Sequence, residues 1–566
     1  MPPVLFSRGP SQRGYGDALH LLGEASRLPT ERVGPVTATV ERDAEVVCMS
    51  GYEYVVVGGG SAGCVLANRL SADGEDVLLL EAGQDWRADT VDETVLTGNF
   101  MDLLAADRMV WPELEATLSS AKPPERYYVG KGLGGGSAVN GQLWLWPPLA
   151  DFDRWVAAGC AGWSAEEMAG RLRQCEADEL GDRAHHGRDG PTPVWRPRPE
   201  RDEWGPVDHA FRDAAVALGH PVAPDFDLNA PDTTGLGATP RNVEDGVRVS
   251  TKQAYLDPVR ERDNLTVRTG ALVDRVRFDG RVATGVEALV DGTRQSYEAD
   301  TVVLSAGAIY TPTILVRSGI GPRAQVAAVD APLRSARPGL GRVIDHPLLA
   351  LSFPLEPDAR VDDPSGFFAS TILFWQADLP YSRPRELHAL ARNFTETNRE
   401  GAQRGGLVIG MFDTHSQGRV EVTSADPRDD PAVDVGMLSD RRDLVRLREG
   451  VKHAVELLDT EPMRSIRAGP PVLETHDGSA EPIDVSDDAA LEDQIKRNVA
   501  QYYHPVGTCR MGALDDPGAV VTPQCQVGGV EDLFVVDASI MPTTVRAHTN
   551  LATVALAERA VEFLTV

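Results

Sequence analysis

A glycine-rich segment between two short apolar runs constrains the fold of this chain more than any other feature. Residues 54–57 form a mostly β-branched run, residues 58–63 read GGGSAG, and a helical pattern follows over residues 64–70. A second apolar run, residues 77–80, ends in Glu81. This order of strand, tight turn, helix and strand is the opening βαβ unit of a dinucleotide-binding fold.

Three glycines occupy the fingerprint positions of that unit. Gly58 allows the tight turn, Gly60 lets the backbone approach a pyrophosphate, and Gly63 lets the helix pack closely on the strand. The helix N-terminus then faces the anionic phosphates. Glu81 follows 23 positions after Gly58 and can accept hydrogen bonds from a ribose diol. The sequence therefore predicts a nucleotide site here.

The length and charge of the chain exclude several classes of protein. At 566 residues it exceeds what one hydrophobic core supports, so we expect two domains. The 55 basic and 85 acidic residues give a net charge of −30, which argues against nucleic acid or an anionic membrane as a partner. No run approaches the roughly 18 apolar residues of a membrane helix.

The N-terminal segment and the cysteines indicate a cytoplasmic setting. Residues 1–48 lack the apolar core of a secretory signal, and we expect them to be a disordered extension, with Met49 as a possible biological start. Six cysteines in so long a chain, none in a CxxC pair, predict neither a disulfide framework nor a zinc site. We expect no metal.

The middle of the chain is less regular. Short alternating strands are predicted over residues 264–303, with turns at Asp279-Gly280 and Asp291-Gly292, and a buried strand over residues 301–305. Further strand candidates are residues 349–353, 406–411 and 419–422, and a helix is predicted over residues 441–458.

Two histidines near the C-terminus are the best candidates for proton transfer. His504 lies in QYYHPVGTCRMG, residues 501–512, and His548 follows 44 positions later. Imidazole titrates near neutrality and is the group used most often in general acid–base catalysis. Beside a redox cofactor, the pair indicates proton removal from a substrate coupled to hydride transfer.

Four motifs, in this order, resemble those of the glucose–methanol–choline (GMC) oxidoreductases, an FAD-dependent family. They are the fingerprint with Glu81; GKGLGGGSAVN at 130–140 with DFDRW at 151–155; SAGAIYTP at 305–312 with SGIGP at 318–322; and the C-terminal block with His504, Asp537-Ala538-Ser539 and HTNLAT at 548–553. The resemblance covers nearly all of residues 52–564.

The resemblance implies a set of cofactor-binding residues. Asn140 corresponds to a residue near the flavin ring, Asp537 to an acid beside the FAD phosphates and ribitol, and Asn550 to a residue near the flavin pyrimidine edge. Some relatives attach FAD through a histidine that Val139 replaces here, so noncovalent FAD is expected. The full set is Gly58, Gly60, Ser61, Ala62, Gly63, Glu81, Gly132, Gly136, Ser137, Asn140, Val273, Asp537, Ala538 and Asn550.

The chain resembles the family members with two active-site histidines. This implies that His504 removes the hydroxyl proton of an alcohol, that His548 holds the alkoxide, and that a hydride moves from the carbinol carbon to flavin N5. The expected partners are a small-molecule alcohol and an acceptor, O₂ or a quinone. The sequence leaves open an oxidase of specialised metabolism that acts on a hydroxyl of a larger scaffold, and a noncatalytic flavoprotein.

Two positions depart from the family pattern. Trp146-Pro147 stands where relatives usually show Arg-Gly, which indicates either altered packing of the loop over the flavin or an aromatic access channel, with Trp144 nearby. Arg546 lies two residues before His548 and could receive an anionic substrate, raise the redox potential, or form a surface ion pair. His346 matches a stretch that is usually structural, and Tyr502 and Tyr503 are expected to be pocket wall or core.

The fold class expected is α/β, or α+β over the whole chain. A Rossmann-like FAD-binding domain with a mostly parallel sheet is predicted over residues 49–150, 246–348 and 490–566. A discontinuous substrate domain with an antiparallel sheet is predicted over residues 151–245 and 349–489.

Overall fold

The computed structural model describes residues 48–86, 100–105, 109–230, 233–364, 366–475 and 479–565. The expectation that residues 1–48 are disordered falls, apart from Cys48, outside these residues. The helices are Ser61–Leu70, Phe100–Ala105, Gly136–Val139, Ala150–Ala157, Ala165–Gln174, Pro206–Ala217, Gly307–Arg317, Arg323–Ala328, Arg441–Leu458, Glu461–Ser465, Asp488–Asn498 and Thr549–Leu564.

The first sheet is the predicted mostly parallel one. Its strands run in the order Leu265–Arg268, Val77–Leu80, Cys48–Val57, Thr293–Leu304, Val282–Val290 and Ala271–Asp279, with Leu533–Val535 also paired to Thr293–Leu304. The last three strands of that order form antiparallel hairpins, and the other pairings are parallel. The predicted Rossmann-like fold is thereby confirmed.

Four strands of the first sheet end at one level. Val57 pairs with Leu80 and with Leu304, and Leu304 pairs with Val535. All four residues are buried, which is why these strands read as continuous apolar runs. Because carboxyl ends of parallel strands share one edge, the loops after residues 57, 304 and 535 meet there.

The second sheet is antiparallel, as predicted. Its strands run in the order Ala480–Pro482, Val472–Glu474, Pro347–Pro354, Arg404–Met411, Leu387–Arg392, Thr371–Trp375 and Gly235–Ala238, and Ala500–Gln501 pairs with Pro347–Pro354. Helices Pro206–Ala217 and Arg441–Leu458 pack on one of its faces. Alternate residues point to the other face, which is therefore free to border a cavity.

Smaller sheets complete the fold. One has five strands, Arg342–Val343, Gly418–Glu421, Ala432–Asp434, Glu115–Thr117 and Glu125–Arg126. The two-stranded ones pair Ile320–Gly321 with Ser335–Ala336, Glu176–Asp178 with Thr192–Val194, and Val243–Glu244 with Val247–Arg248. None of these strand pairings tests the predicted domain boundaries, which stay a prediction.

In the part of the chain that the structure describes, no helix has both the length and the apolar character needed to cross a membrane.

Candidate active site

A cavity of about 410 Å³ lies between the carboxyl edge of the first sheet and the open face of the second. Gly58, Ser305 and Asp537 reach it from the loops that end the first-sheet strands, and Leu390 and Val408 reach it from the second sheet. Both His504 and His548 line it. One space therefore joins the glycine motif to the histidines, although more than 400 residues separate them in sequence.

The glycine turn is packed too closely for side chains. A Cβ at Gly63 would lie 1.8 Å from the carbonyl oxygen of Gly58, and Gly58 has a φ of +101°, which favours glycine. A Cβ at Gly135 would lie 2.7 Å from Cα of Gly60, so the second glycine loop touches the first. The helix Ser61–Leu70 has no side-chain cap, so its first N–H groups stay free for an anionic ligand.

Glu81 accepts hydrogen bonds from three loops, including the glycine turn. Its Oε2 accepts a hydrogen bond from the Gly59 N–H at 2.8 Å, and its Oε1 accepts from Gly83 at 2.7 Å and Gly132 at 3.0 Å. A carboxylate offers about four acceptor positions, so one stays available to a ribose hydroxyl. Glu81 thus positions Gly132, which does not itself reach the cavity.

The structure separates the predicted cofactor residues into two groups. Those that line the cavity are Gly58, Gly60, Ser61, Ala62, Glu81, Gly136, Asn140, Val273, Asp537, Ala538 and Asn550. Gly63, Gly132 and Ser137 lie behind this lining. The Ser137 hydroxyl donates to the Gly134 carbonyl at 2.6 Å and bonds the Thr251 hydroxyl at 2.8 Å, so it holds its own loop.

Two polar residues of the cofactor end are oriented by neighbours that sequence reasoning did not find. Arg248 donates to Oδ1 of Asn140 at 2.9 Å. Burial lowers the pKa of this arginine to about 9. The Gly307 N–H and the Thr311 hydroxyl donate to Oδ2 of Asp537 at 2.9 and 2.6 Å. No sequence signal linked Arg248 to Asn140, because the contact spans 108 positions.

The histidine end contains more imidazoles than the sequence motif indicated. The ring planes of His504 and His548 are nearly perpendicular, with centroids 5.1 Å apart. Nδ1 of His346 lies 3.0 Å from Nδ1 of His504, within hydrogen-bond distance. His346, which the sequence placed among structural residues, therefore touches the candidate base.

A buried carboxylate fixes the backbone around these rings. Oδ1 of Asp345 accepts from the N–H groups of His504 at 2.9 Å and His346 at 2.7 Å. Its Oδ2 accepts from the Tyr127 hydroxyl at 2.6 Å. Burial, opposed by these hydrogen bonds, raises the pKa of Asp345 to about 6.

Aromatic rings enclose His504 and His548. Tyr502 stacks on His504 with an interplanar angle of 5° and centroids 5.2 Å apart, which agrees with its expected place in the pocket wall. Its hydroxyl lies 2.5 Å from Nε2 of His388, a fourth imidazole. Phe412 packs against His346, His388 and His548. Among the described residues, no cluster of histidine, cysteine or acidic side chains has a geometry suited to a metal ion.

Burial sets the protonation state of the two central rings. It lowers the pKa of His504 well below 6.5, and the nearby His346 and His388 lower it further. The pKa of His548 is likewise well below 6.5, first because of burial and then because of His504. Neither ring nitrogen of His548 has a hydrogen-bond partner among the described residues. Burial therefore favours the neutral form of both rings, and the ring nitrogens of His548 are available to a ligand.

Trp146, at the first departure from the family pattern, and the nearby Trp144 are both bonded to one buried carboxylate. The indole N–H groups of Trp146 and Trp144 donate to Oε2 of Glu176 at 2.9 and 3.3 Å, and both residues are buried behind the cavity lining. Neither indole lines the cavity, which argues against an aromatic access channel, and altered packing of the loop stays a prediction.

Arg546 forms a buried ion pair. Its Nε donates to Oδ1 of Asp151 at 2.8 Å, and its backbone N–H donates to Oδ2 at 2.7 Å. The side chain is 5% exposed and lies outside the cavity lining. The ion pair is therefore buried and not at the surface, and the position outside the cavity lining argues against contact with an anionic substrate. An effect of this charge on the redox potential stays a prediction.

The residues fit FAD. A Cβ at Gly136 would meet no atom within 4 Å, so the second glycine loop borders space that no protein atom fills. Both amide atoms of Asn550 are buried and have no hydrogen-bond partner in the described part of the chain, as expected for groups that bond a ligand. Val139, where a covalent link would need a histidine, lines the cavity.

Comparison with known proteins agrees with this geometry. Residues 52–347 and 414–557 match the N- and C-terminal models of a family described as GMC oxidoreductase. An oxygen-dependent choline dehydrogenase of Photobacterium profundum is 32% identical, over 90% of this chain and 92% of its own length. A 5-(hydroxymethyl)furfural oxidase of Methylovorus is 33% identical, over 90% and 97%.

Solved structures give the same result. The crystal structure of pyridoxine 4-oxidase from Mesorbium loti is 27% identical and superposes with a TM-score of 0.81, covering 90% of this chain and 99% of that one. A crystal structure of formate oxidase superposes with a TM-score of 0.81 at 20% identity, covering 91% of this chain and 98% of that one, and supports the fold alone.

Proposed function

The chain belongs to the GMC oxidoreductase family and oxidises alcohol groups with FAD as its cofactor, and we propose that His504 accepts the hydroxyl proton in this reaction. The observation that carries the proposal is the single cavity lined by the glycine motifs and by both histidines. His548, whose ring nitrogens lack protein partners, is proposed to hold the substrate oxygen.

The His346 contact determines how His504 can act. If Nδ1 of His504 carries the hydrogen and donates to Nδ1 of His346, then Nε2 of His504 has a free lone pair. That nitrogen takes the hydroxyl proton while the C–H electron pair leaves the carbinol carbon and a C=O bond forms. His346 is thus a positioning residue that selects the tautomer, as the third member of a catalytic triad does.

When bound, FAD supplies the two-electron acceptor that takes the hydride from the carbinol carbon. The residues proposed to hold it are the glycine turn with Ser61 and Ala62, Glu81, Asn140, Val273, Asp537, Ala538 and Asn550. Because Val139 replaces the linking histidine, we propose noncovalent binding. Buried aromatic walls exclude water, and positioned acid–base groups of this kind typically contribute about 10²–10⁴-fold in rate.

The direct test is anaerobic mixing of the purified holoenzyme with a panel of neutral primary and secondary alcohols. We expect the yellow flavin to bleach, and we expect His504→Ala to bleach about 10²–10⁴-fold more slowly while it retains FAD. His185→Ala, which removes an exposed imidazole, is the matched control. Bleaching of His504→Ala at the wild-type rate would show that another group takes the proton.

The electron acceptor and the location are finer proposals. We propose O₂ as acceptor, which the names of the oxygen-dependent choline dehydrogenases and of the furfural oxidase support. Reoxidation of the bleached enzyme by O₂, compared with reoxidation by a quinone, decides between these two acceptors.

We also propose a cytoplasmic location, which the free, buried state of the five cysteines with described side chains supports.

A further inference from the structure

The face of the second sheet that borders the cavity carries its side chains in three cross-strand rows. The histidine row is Leu348, Gly410, His388 and Phe374; the apolar row is Ala350, Val408, Leu390 and Ile372; and the arginine row is Ser352, Gly406 and Arg392. Because side chains alternate along a strand, all three rows point to the same side. The histidine row has one polar side chain, His388, the middle row is apolar, and the arginine row has two polar side chains, Ser352 and Arg392.

The rows lead away from the candidate acid–base site. His388 of the histidine row lies with its ring centroid 6.4 Å from that of His548. Arg392 follows four positions later on the same strand, about 13 Å away at the backbone for an extended chain. Leu390, Val408 and Arg392 all line the cavity that holds the two histidines. A ligand can therefore extend from the histidines across the apolar row to Arg392.

Arg392 has donors to spare at the far end. Its side chain is buried, and its Nη2 donates to Oε1 of Glu474 at 2.6 Å and to the Leu351 carbonyl at 3.2 Å. Its Nε is buried and has no hydrogen-bond partner among the described residues. A guanidinium group carries five N–H donors, and this one uses a minority of them.

The side chains around the arginine row carry a net positive charge. Glu474 is the carboxylate that pairs with Arg392. A second guanidinium group, that of Arg404, donates to the Ser352 hydroxyl in the arginine row at 2.7 Å. The acidic residues that line the cavity are Glu81 and Asp537, and both lie at the cofactor end. The arginine row therefore favours an anion and disfavours a cation such as a quaternary ammonium group.

Resting on the proposed alcohol oxidation, we propose that the substrate carries a carboxylate at the end remote from its hydroxyl, and that Arg392 binds it. The alcohol carbon lies at the histidines, an apolar body crosses Leu390 and Val408, and the carboxylate accepts hydrogen bonds from Arg392. Planar guanidinium–carboxylate pairing gives both strength and direction. Arg392 is then a specificity-determining residue that takes no part in the proton transfer.

The test compares a homologous series of ω-hydroxycarboxylates with the n-alcohols of the same length, in the holoenzyme. We expect kcat/KM to be about 10- to 100-fold higher for the ω-hydroxycarboxylate at the best length, the range for a hydrogen bond to a charged group. In Arg392→Met combined with Glu474→Gln, which leaves no unpaired carboxylate, the ratio between the two substrates should fall to about one. Arg392→Lys should restore part of it.

A binding measurement makes the test independent of turnover. Calorimetry with a simple fatty acid of the best length should show about 10- to 100-fold weaker binding to the double variant than to the wild type. Flavin content and the unfolding midpoint of each variant verify that it is folded, and Arg392→Lys serves if the double variant is not. Equal substrate ratios and equal fatty-acid affinities in wild type and variants would overturn the Arg392 proposal. If no alcohol bleaches the flavin at all, the proposed function fails instead, and the calorimetry still decides the anion site.

Discussion

The cofactor end and the histidine end of the cavity are built in opposite ways. In the glycine turn of the cofactor end, the closest contacts lie within one βαβ unit and involve the backbone: Gly58 against Gly63, and the N–H groups of Gly59 and Gly83 on Glu81. At the histidine end they are side-chain contacts between distant segments, such as His346 with His504, 158 positions apart. The first end is specified by missing side chains, and the second by the side chains that are present.

The largest effect is expected where a side chain is added to the cofactor end. In Gly63→Ala the new methyl group would lie 1.8 Å from the Gly58 carbonyl oxygen, so the turn must open. We expect a protein without FAD, colourless after purification, or one that fails to fold. Absorbance of the purified protein and release of free flavin by acid measure this outcome.

Gly170→Ala is the matched control for that change. A Cβ at Gly170 meets nothing within 4 Å, and alanine favours the helix Ala165–Gln174 in which it lies. This variant should keep its full flavin content. Stoichiometric FAD in Gly63→Ala would show that the close packing of the turn is not required.

A smaller effect is expected where an acceptor is removed from the histidine end. His346→Phe keeps a buried ring but takes away the nitrogen that faces Nδ1 of His504. We expect kcat for flavin bleaching to fall about 10- to 100-fold, the cost typical of losing a group that orients a reacting one, with FAD retained. His346→Asn, whose amide oxygen can take the position of Nδ1, should recover much of the rate. Equal losses in both variants would mean that His346 only fills space.

The smallest effect is expected from pH. The pKa of His504 lies well below 6.5, so its Nε2 stays unprotonated and the bleaching rate should remain level as the pH falls through 6.5. An inflection at pH 6.5 or above would contradict the buried, neutral imidazole.

Stability should respond in the same pH range. Folding lowers the pKa of His504 and His548, so these rings take up protons preferentially in the unfolded chain. Their contribution to the free energy of unfolding is present above about pH 6.5 and is lost as the pH falls below it. Asp345 acts in the opposite sense, because folding raises its pKa from 3.8 to about 6. Its contribution to the free energy of unfolding is present below pH 3.8 and is lost as the pH rises through 6. Urea unfolding across this range measures the sum.

The same contrast explains what the sequence could predict. The strand at Val77–Leu80 and the helix Arg441–Leu458 appear at their predicted residues because apolar periodicity is a local property. The first strand begins at Cys48 rather than at residue 54, because its early residues pair with Ser296 and Tyr297 beyond an irregularity, which no local pattern records.

The histidine end was only half predictable. The motifs identified His504 and His548, but the contacts of His346 and Asp345 depend on the strand that starts at Pro347 bringing them beside residue 504. The sequence left several alternatives open for Arg546 and Trp146, because it does not give the direction of a side chain. Both have buried carboxylate partners, Asp151 and Glu176, far away in the chain.

The late addition of strand Leu533–Val535 to the first sheet has a consequence for folding during synthesis. The Ser305 hydroxyl meets the Val536 carbonyl across 231 positions, and both proposed acid–base histidines also lie in the last part of the chain. Long-range pairings form slowly, and domains are completed only as synthesis supplies their last strand. A nascent chain can thus build most of the glycine-lined cradle early, yet it acquires redox competence only after the segment that contains Leu533–Val535 and His548 has left the ribosome.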